Sequence, residues 1–252
     1  MTPNLSRGSV MPSVTEFYKK YDGKRCFILG NGPSLNKVDM ARMRNEFTFG
    51  VNSIFLMTRN NNFRPTFYVV EDNLVFSENK DDIDAYQGVI KILPQRYAEQ
   101  LKSGDSCHIF EMDTSFYNRT DKANYGTPQF NIGSEPVFYC GQSVTYINMQ
   151  LAYYFGFSEV YLIGMDFSYS KPSDHHQKGN HIRSEGDDPN HFHKDYFGKG
   201  KTWKDPRLGR VQRSYLRAKF EFEIAGRIIM NATSGGELET FSRIDLDTLW
   251  GN

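Results

Sequence analysis

The sequence has few cysteines, no excess of charge of either sign and no long apolar run. Its three cysteines, Cys26, Cys107 and Cys140, include no C-x-x-C pair, which argues against a disulfide framework or a zinc knuckle and indicates a reducing compartment. The 30 basic residues balance the 30 acidic residues, so no overall field attracts nucleic acid. Apolar runs such as residues 160–163 are far shorter than the roughly 20 residues of a membrane span, and the polar start has no signal-peptide core. We expect a cytoplasmic protein that binds no nucleic acid.

The 252 residues fit a single domain, because one hydrophobic core still suffices up to about 250 residues. We expect residues 1–23 to be a polar N-terminal lead-in and residues 24–252 to form one domain. Short apolar runs alternate there with amphipathic or polar stretches, which predicts an α/β fold with a mostly parallel sheet and helices on both faces. Strands are predicted at residues 25–29, 47–51, 66–70, 88–93, 108–111, 160–163 and 228–230, and helices between 143 and 156 and from 206 onwards.

A glycine-rich turn follows the first predicted strand. Gly30 and Gly32 precede Pro33, which is expected to begin a helix, and Ser34 follows it. At such a turn the backbone can approach a ligand closely, and the unpaired N–H groups of the helix start favour a phosphate. Asn31 would add a hydrogen bond. The turn lacks the third glycine of the dinucleotide fingerprint and the Gly-Lys-Ser/Thr of a Walker A loop. It is therefore either a phosphate site or a structural turn.

Further polar side chains follow other predicted strands or stand at the start of a helix. They are Asn52, Ser53, Asp72, Gln142, Ser143, Thr145 and Asp166. Ligands of open α/β sheets bind outside the carboxyl ends of the strands, so convergence of these side chains with Asn31 would form a nucleotide pocket. The alternative interpretation is a set of polar loop residues and helix caps.

Residues 168–204 form a long polar stretch, which we interpret as a lid loop. It contains His175, His176, His181, His191 and His193. Histidine titrates near physiological pH and can take a proton from an acceptor hydroxyl. The spacing matches neither H-E-x-x-H nor a Cys/His knuckle, so no metal site is predicted, and adventitious histidines in a solvated loop are the alternative.

A basic segment follows, between Lys199 and Lys219. Lys201, Arg207 and Arg210 are candidates for binding a diphosphate, an acidic sugar or an anionic lipid carrier, because arginine forks suit phosphate and carboxylate oxygens. A solvated helix face is the alternative. Peripheral association of this helix with the inner membrane is left open, as is a homo-oligomer.

Residues 28–35, 51–53 and 161–167 resemble, in order and spacing, the bacterial sialyltransferases of glycosyltransferase family 42. Residues 231–238 and the His-Phe-x-x-Asp-Tyr stretch at 191–196 resemble the related motility-accessory flagellin glycosyltransferases and 6-hydroxymethylpterin diphosphokinase-like proteins. The resemblance covers residues 24–246. It implies a Rossmann-like domain and, from the sialyltransferases, a CMP-linked nonulosonic acid donor that is bound without metal.

The resemblance also implies roles for individual residues. Nucleotide binding carries over to Asn31, Gly32, Ser34, Asn52, Ser53, Ser143 and Thr145, and Asp72 occupies the place of an asparagine in the sialyltransferases. The histidine base of the family corresponds to His193 or His191, and Asp195 matches equally well if the loop aligns without a gap. Tyr169 is the approximate counterpart of a tyrosine that steadies the leaving phosphate.

These features predict a metal-independent, inverting glycosyltransferase that moves a sialic-acid-like sugar from a nucleotide-sugar donor to a glycan or protein hydroxyl, with His193 as general base. One alternative is a diphosphokinase that transfers pyrophosphate from ATP to 6-hydroxymethylpterin and holds Mg²⁺ on acids such as Asp72 and Asp166. The other alternative is a non-catalytic module that binds a nucleotide or a glycan.

Overall fold

A computed structural model of the chain describes residues 11–102, 107–171 and 176–250. The first ten residues of the predicted lead-in and His175 lie outside the described residues. A sheet of eight strands forms the centre of the molecule, in the order β11-β7-β1-β2-β3-β4-β5-β6, and every neighbouring pair is parallel. Its strands are β1 (Arg25–Leu29), β2 (Phe47–Val51), β3 (Phe67–Val69), β4 (Ile90–Pro94), β5 (Cys107–Asp113), β6 (Val137–Tyr139), β7 (Glu159–Ile163) and β11 (Ile228–Asn231). The predicted Rossmann-like α/β fold is confirmed.

Helices cover both faces of this sheet. They are α1 (Phe55–Asn61), α2 (Asn73–Glu78), α3 (Lys80–Ala85), α4 (Gln95–Ala98), α5 (Val144–Tyr154) and α6 (Leu208–Ile224). Helix α5 begins after Ser143, whose hydroxyl accepts a hydrogen bond from the backbone N–H of Thr145. It ends before Gly156, whose φ of +93° is a conformation that glycine adopts without strain.

Alternate side chains of each strand enter two separate hydrophobic cores. Cys26 and Ile28 of β1 pack in the core that contains α5 and α6, whereas Phe27 and Leu29 pack in the core on the opposite face. All four side chains are fully buried. Burial of a phenylalanine or leucine side chain contributes about 1.5–3 kcal/mol, so continuous apolar strands of this kind hold the sheet between its helices.

The described part of the predicted lid loop contains short strands among turns and irregular stretches. It contains a second, antiparallel sheet of three short strands, β8 (His176–Lys178), β9 (His181–Arg183) and β10 (Thr202–Lys204). Each strand has three residues, and β8 is fully exposed, so no apolar alternation marks them in the sequence. We call residues 168–171 and 176–206 the inserted segment below.

The lead-in and the first turn differ from the prediction in detail. Val14 and Phe17 of the lead-in are buried, and Ser13 forms a bridge to Ile109 of β5. The turn after β1 continues into a 3₁₀ turn over Pro33–Lys37 rather than an α-helix. In the part of the chain that the structure describes, no helix is both long enough and apolar enough to cross a bilayer.

Candidate active site

A cleft of about 780 Å³ lies along the carboxyl edge of the parallel sheet, between the strand-end loops, the inserted segment and the start of α6. The structure brings most of the predicted site residues together there: Gly30, Asn31, Gly32, Asn52, Asp72, Gln142, Ser143, Thr145, Asp166, Tyr169, His191 and Arg207. Parallel strands all end on one side of the sheet, which is why loops far apart in the chain meet. Ser34, Ser53, His193, Asp195, Lys201 and Arg210 do not line the cleft.

The glycine-rich turn holds a carboxylate of the chain itself. Asp166 accepts hydrogen bonds from the backbone N–H of Ser34 at 3.2 Å and from its hydroxyl at 2.6 Å. A Cβ on Gly32 would lie 1.9 Å from Asp166 Oδ2, and one on Gly30 would lie 2.3 Å from the carbonyl oxygen of Gly164. The glycines therefore allow close approach of the β7 loop. Asp166 occupies the Ser34 donors in this structure, and the role of Ser34 in seating a phosphate stays a prediction that requires this contact to open.

The ends of β1 and β2 present unsatisfied polar atoms near the cleft. Asn31 donates through Nδ2 to the carbonyl of Val51 at 3.1 Å and to the Tyr196 hydroxyl at 2.7 Å. Among the described residues, Asn31 Oδ1, Asn52 Oδ1 and Ser53 Oγ are buried without a hydrogen-bond partner. An unsatisfied buried polar atom costs about 1–3 kcal/mol. Asn31 and Asn52 line the cleft, so their oxygens can accept hydrogen bonds from a ligand.

The inserted segment supplies a histidine whose orientation is fixed. His191 Nδ1 lies 2.7 Å from Asp188 Oδ2, and these side chains are only 9% and 3% exposed. Burial opposes ionisation of Asp188, but hydrogen bonds from His191 and from the backbone N–H groups of Asn190 and Phe197 outweigh it and lower its pKa. The His191 ring also stacks on Tyr196, with centroids 4.0 Å apart. With Nδ1–H donated to Asp188, Nε2 is the nitrogen that can accept a proton.

The preferred candidate for the base, His193, lies elsewhere. Its Nδ1 accepts a hydrogen bond from the backbone N–H of Asp195 at 3.2 Å, and neither residue lines the cleft. His191, the second candidate, lines the cleft. One local feature of the sequence favours His191 and was not used in the prediction. Asp188 lies three residues before it, at a distance that allows the two side chains to pair.

Of the basic candidates, Arg207 lines the cleft, and it forms no ion pair with any residue that the structure describes. Lys201 instead donates to Asn79 Oδ1 and to the carbonyl of Tyr196, each at 3.2 Å. The Arg210 guanidinium lies 4.4 Å from the centroid of the Phe116 ring and 4.7 Å from that of Tyr125. The proposed phosphate role of Lys201 and Arg210 is therefore not supported by their positions. Both anchor loops instead.

Asp72 is held by two structural contacts at the edge of the cleft. Its Oδ1 accepts the backbone N–H groups of Leu74 and Val75 at the start of α2, and its Oδ2 pairs with Lys204 Nζ at 2.9 Å. Both acids that could hold Mg²⁺ for a diphosphokinase, Asp72 and Asp166, are thus engaged within the protein. Over the described ranges, no group of three or more His, Cys, Asp or Glu side chains is placed to hold a metal ion.

Tyr169 near His191, and Ser143 with Tyr215 near α5, place hydroxyl groups in the walls of the cleft. Tyr169 lies beside His191, with ring centroids 6.1 Å apart, and it stacks on Trp203. A tyrosine hydroxyl with the ordinary pKa of 10.0 is neutral at neutral pH, and burial raises the pKa of Tyr169 further, so this hydroxyl can donate a hydrogen bond. Ser143 Oγ lies 3.3 Å from the Tyr215 hydroxyl.

A residue that the sequence patterns did not single out lines the cleft beyond β1 and β2, on the side away from β7. Glu71 follows β3, lines the cleft and accepts a hydrogen bond from the thiol of Cys140 at 3.4 Å. Burial and, to a smaller extent, repulsion from Asp72 raise the pKa of Glu71. A carboxyl with a raised pKa in a cleft is a candidate functional group. The prediction fell on the neighbouring Asp72 because nothing in the sequence distinguishes two adjacent acids.

Comparisons with known proteins agree with the resemblance seen in the sequence. A family model described as 6-hydroxymethylpterin diphosphokinase MptE-like matches residues 1–172. Among solved structures, the chain is similar to the MAf glycosyltransferase from Magnetospirillum magneticum AMB-1, with a TM-score of 0.54 and 15% sequence identity. The match covers 94% of this chain and 38% of that chain, and at this identity it shows the fold alone. No curated protein sequence matches the chain.

Proposed function

Because the chain belongs to the 6-hydroxymethylpterin diphosphokinase MptE-like family, we propose that it is a transferase that binds a nucleotide-linked donor in the cleft, and that the group it transfers is a sugar. The finer proposal is transfer of a sialic-acid-like nonulosonic acid from a CMP donor to a glycan or protein hydroxyl. Two findings support a sugar as the transferred group: the motifs shared with sialyltransferases and the fold shared with the MAf glycosyltransferase.

The Asp188–His191 pair is the observation that carries this proposal. The acceptor hydroxyl oxygen would attack the anomeric carbon of the donor, and its proton would pass to Nε2 of His191. The bond between that carbon and the phosphate oxygen would break, and its electron pair would leave with the nucleotide. A direct displacement of this kind inverts the anomeric centre. General-base assistance of this kind typically contributes about 10²–10⁴-fold to the rate.

Two further side chains suit the charge that develops on the leaving phosphate. Tyr169 can donate a hydrogen bond from a neutral hydroxyl, and Arg207 adds a guanidinium at the start of α6. Asn31 and Asn52 would accept hydrogen bonds from the ribose or the base. The commitment of Asp72 and Asp166 to internal contacts favours a route without metal. A cytoplasmic location, a glycan acceptor and contact of α6 with the inner membrane remain part of this proposal.

The test compares two histidines that lie two residues apart. Purified protein is incubated with CMP-, UDP- and GDP-sugars, and release of free nucleotide is measured with and without EDTA. We expect His191→Ala to lower turnover by about 10²-fold or more, whereas His193→Ala, the matched control outside the cleft, stays within about threefold of the wild type. Equal losses in the two variants would refute the role of His191. Nucleotide binding without any turnover would instead support a non-catalytic module.

The description of the family supports a second candidate, transfer of pyrophosphate from ATP to 6-hydroxymethylpterin. This reaction would need Mg²⁺ near the phosphates, and Asp72 and Asp166 would have to give up their present partners to hold it. Incubation with ATP, Mg²⁺ and 6-hydroxymethylpterin tests it directly. Formation of AMP that EDTA abolishes would favour the diphosphokinase over the glycosyltransferase.

A further inference from the structure

One end of the cleft combines an acid, an aromatic ring and a guanidinium that the proposed reaction does not use. We call it the base end, and it is formed by Glu71 after β3, Arg96 in α4, Tyr117 after β5 and Gln142 before α5. His191 and Tyr169 belong instead to the inserted segment that follows β7. In the order of the sheet, β3 is separated from β7 by β1 and β2, so the base end is a distinct part of the same cleft.

The carboxylate of Glu71 has few hydrogen-bond partners among the described residues. Its Oε1 accepts the weak thiol donor of Cys140, and its Oε2 has no hydrogen bond with any residue described in the structure. Arg96 does not neutralise it by an ion pair, because its guanidinium stacks over Tyr97 and donates to the Tyr97 hydroxyl at 3.1 Å. Glu71 is partly exposed and lines the cleft, so a bound ligand can reach this carboxylate. A ligand with N–H donors would satisfy it.

Tyr117 supplies a flat surface beside this carboxyl. The residue is 39% exposed although it lines the cleft, and its hydroxyl is fixed by a hydrogen bond from the backbone N–H of Gln142 at 3.1 Å. The Glu71 carboxylate contacts Cys140 and the Tyr117 hydroxyl contacts Gln142, two residues further along the chain, so both side chains lie beside the same short loop. An open aromatic face stacks on any planar base, and a carboxylate beside it accepts hydrogen bonds from the amino groups at the edge of a base.

We propose that Glu71 and Tyr117 form the subsite for the base of the nucleotide donor, and that this subsite selects bases with an exocyclic amino group, as in cytosine and guanine. This inference rests on the proposed function and adds the class of base to it. Uracil has a keto oxygen in place of the amino group of cytosine, and hypoxanthine lacks the 2-amino group of guanine, so each offers the carboxylate one donor group fewer at the edge of the base. A site built to accept a hydrogen bond discriminates strongly against an analogue without the donor.

Two matched pairs of nucleotides test the proposal, CMP against UMP and GMP against IMP, with dissociation constants from isothermal titration calorimetry. In the wild type we expect the amino-bearing member of at least one pair to bind about 10- to 100-fold more tightly. Glu71→Met, which keeps the volume but removes both acceptors, should reduce this ratio to within about threefold. Glu71→Gln, which retains one acceptor oxygen, should recover part of it. Glu111→Met on the exposed part of β5 is the control and should leave the ratio unchanged.

Tyr117→Leu separates stacking from readout of the amino group. It should weaken both members of a pair by about tenfold and leave their ratio unchanged. Circular dichroism confirms that each variant is folded. Equal affinities within both pairs in the wild type, or a ratio that survives in Glu71→Met, would overturn the proposal. If turnover still depends on His191 in that case, only the base assignment fails. If no nucleotide binds at all, the proposed function fails with it.

Discussion

Asp166 connects the loop after β7 to the turn after β1. Its carboxylate accepts a hydrogen bond from Ser34, 132 positions earlier in the sequence, and lies against Gly32. Its carboxylate takes the place at the β1 turn where the glycine pattern predicts a phosphate. The turn keeps its glycines for the same reason that a phosphate site would, since the backbone must approach an anion closely. The anion here is part of the protein.

Gly32→Ala tests this close approach. The backbone φ of Gly32 is −68°, which alanine adopts freely, so the expected effect comes only from the clash of the new methyl group with Asp166 Oδ2. We expect a loss of about 1–3 kcal/mol in urea denaturation. Gly209→Ala, whose Cβ meets nothing within 4 Å, is the control and should raise stability by about 0.5–1 kcal/mol. Similar effects at both glycines would contradict the contact.

The raised pKa of Glu71 predicts that the stability of the fold depends on pH. The pKa of Glu71 is raised in the folded protein above the ordinary value of 4.5, so the folded state holds this proton to a higher pH than the unfolded chain. The contribution of Glu71 to stability is therefore present below pH 4.5 and is lost as the pH rises through the raised pKa. Glu71→Gln should unfold at a higher temperature than the wild type at pH 8, and the two should converge near pH 4. A difference that is the same at both pH values would contradict the assignment.

The inserted segment is ordered by a few large side chains. Ile182 and Trp203 face inwards from the paired strands β9 and β10, and Phe192 and Tyr196 are buried in the turns between them. Trp203 stacks on both Tyr169 and Phe197. His191 is positioned by this packing, so the geometry of the proposed base depends on an element that lies outside the main sheet.

Trp203→Ala should therefore loosen this segment more than the rest of the fold. Removal of a buried tryptophan costs about 3–5 kcal/mol, and here the loss falls on the contacts between β10, Tyr169 and Phe197. Hydrogen exchange should increase in residues 176–204, while the amides of β1 and β7 stay protected. Lys178→Ala on the exposed strand β8 is the matched control and should change neither region. Uniform loss of protection across the sheet would contradict a local role.

The elements that could be predicted from the sequence are those with local apolar patterns. Every run predicted as a strand overlaps an observed strand, and α5 and α6 occur where helical spacing placed them. Strand β6 has three residues, and the strands of the inserted segment are equally short, so none of them is long enough to show an apolar pattern in the sequence. Which of His191 and His193 lines the cleft likewise depends on the path of the backbone between them, which no local pattern specifies.

The molecule as a whole follows from an all-parallel sheet. Because every strand of that sheet ends on the same edge, residues that follow seven of its strands and the inserted segment meet around one cleft. The sequence was sufficient to predict this convergence. It was not sufficient to show which polar groups stay available, since Asp166 and Asp72 are satisfied by other residues whereas Glu71 and His191 present groups to the cleft.

Crystal structures with CMP and with GMP, at concentrations above their dissociation constants, test the central claim most directly. We predict an ordered nucleotide in the cleft, with its ribose within hydrogen-bonding distance of Asn31 or Asn52, its phosphate on the side of His191 and Tyr169, and its base at Glu71 and Tyr117. A nucleotide bound instead in the separate cavity of about 480 Å³ beside Arg42 and Trp250 would contradict the account. So would a cleft in which neither nucleotide is ordered.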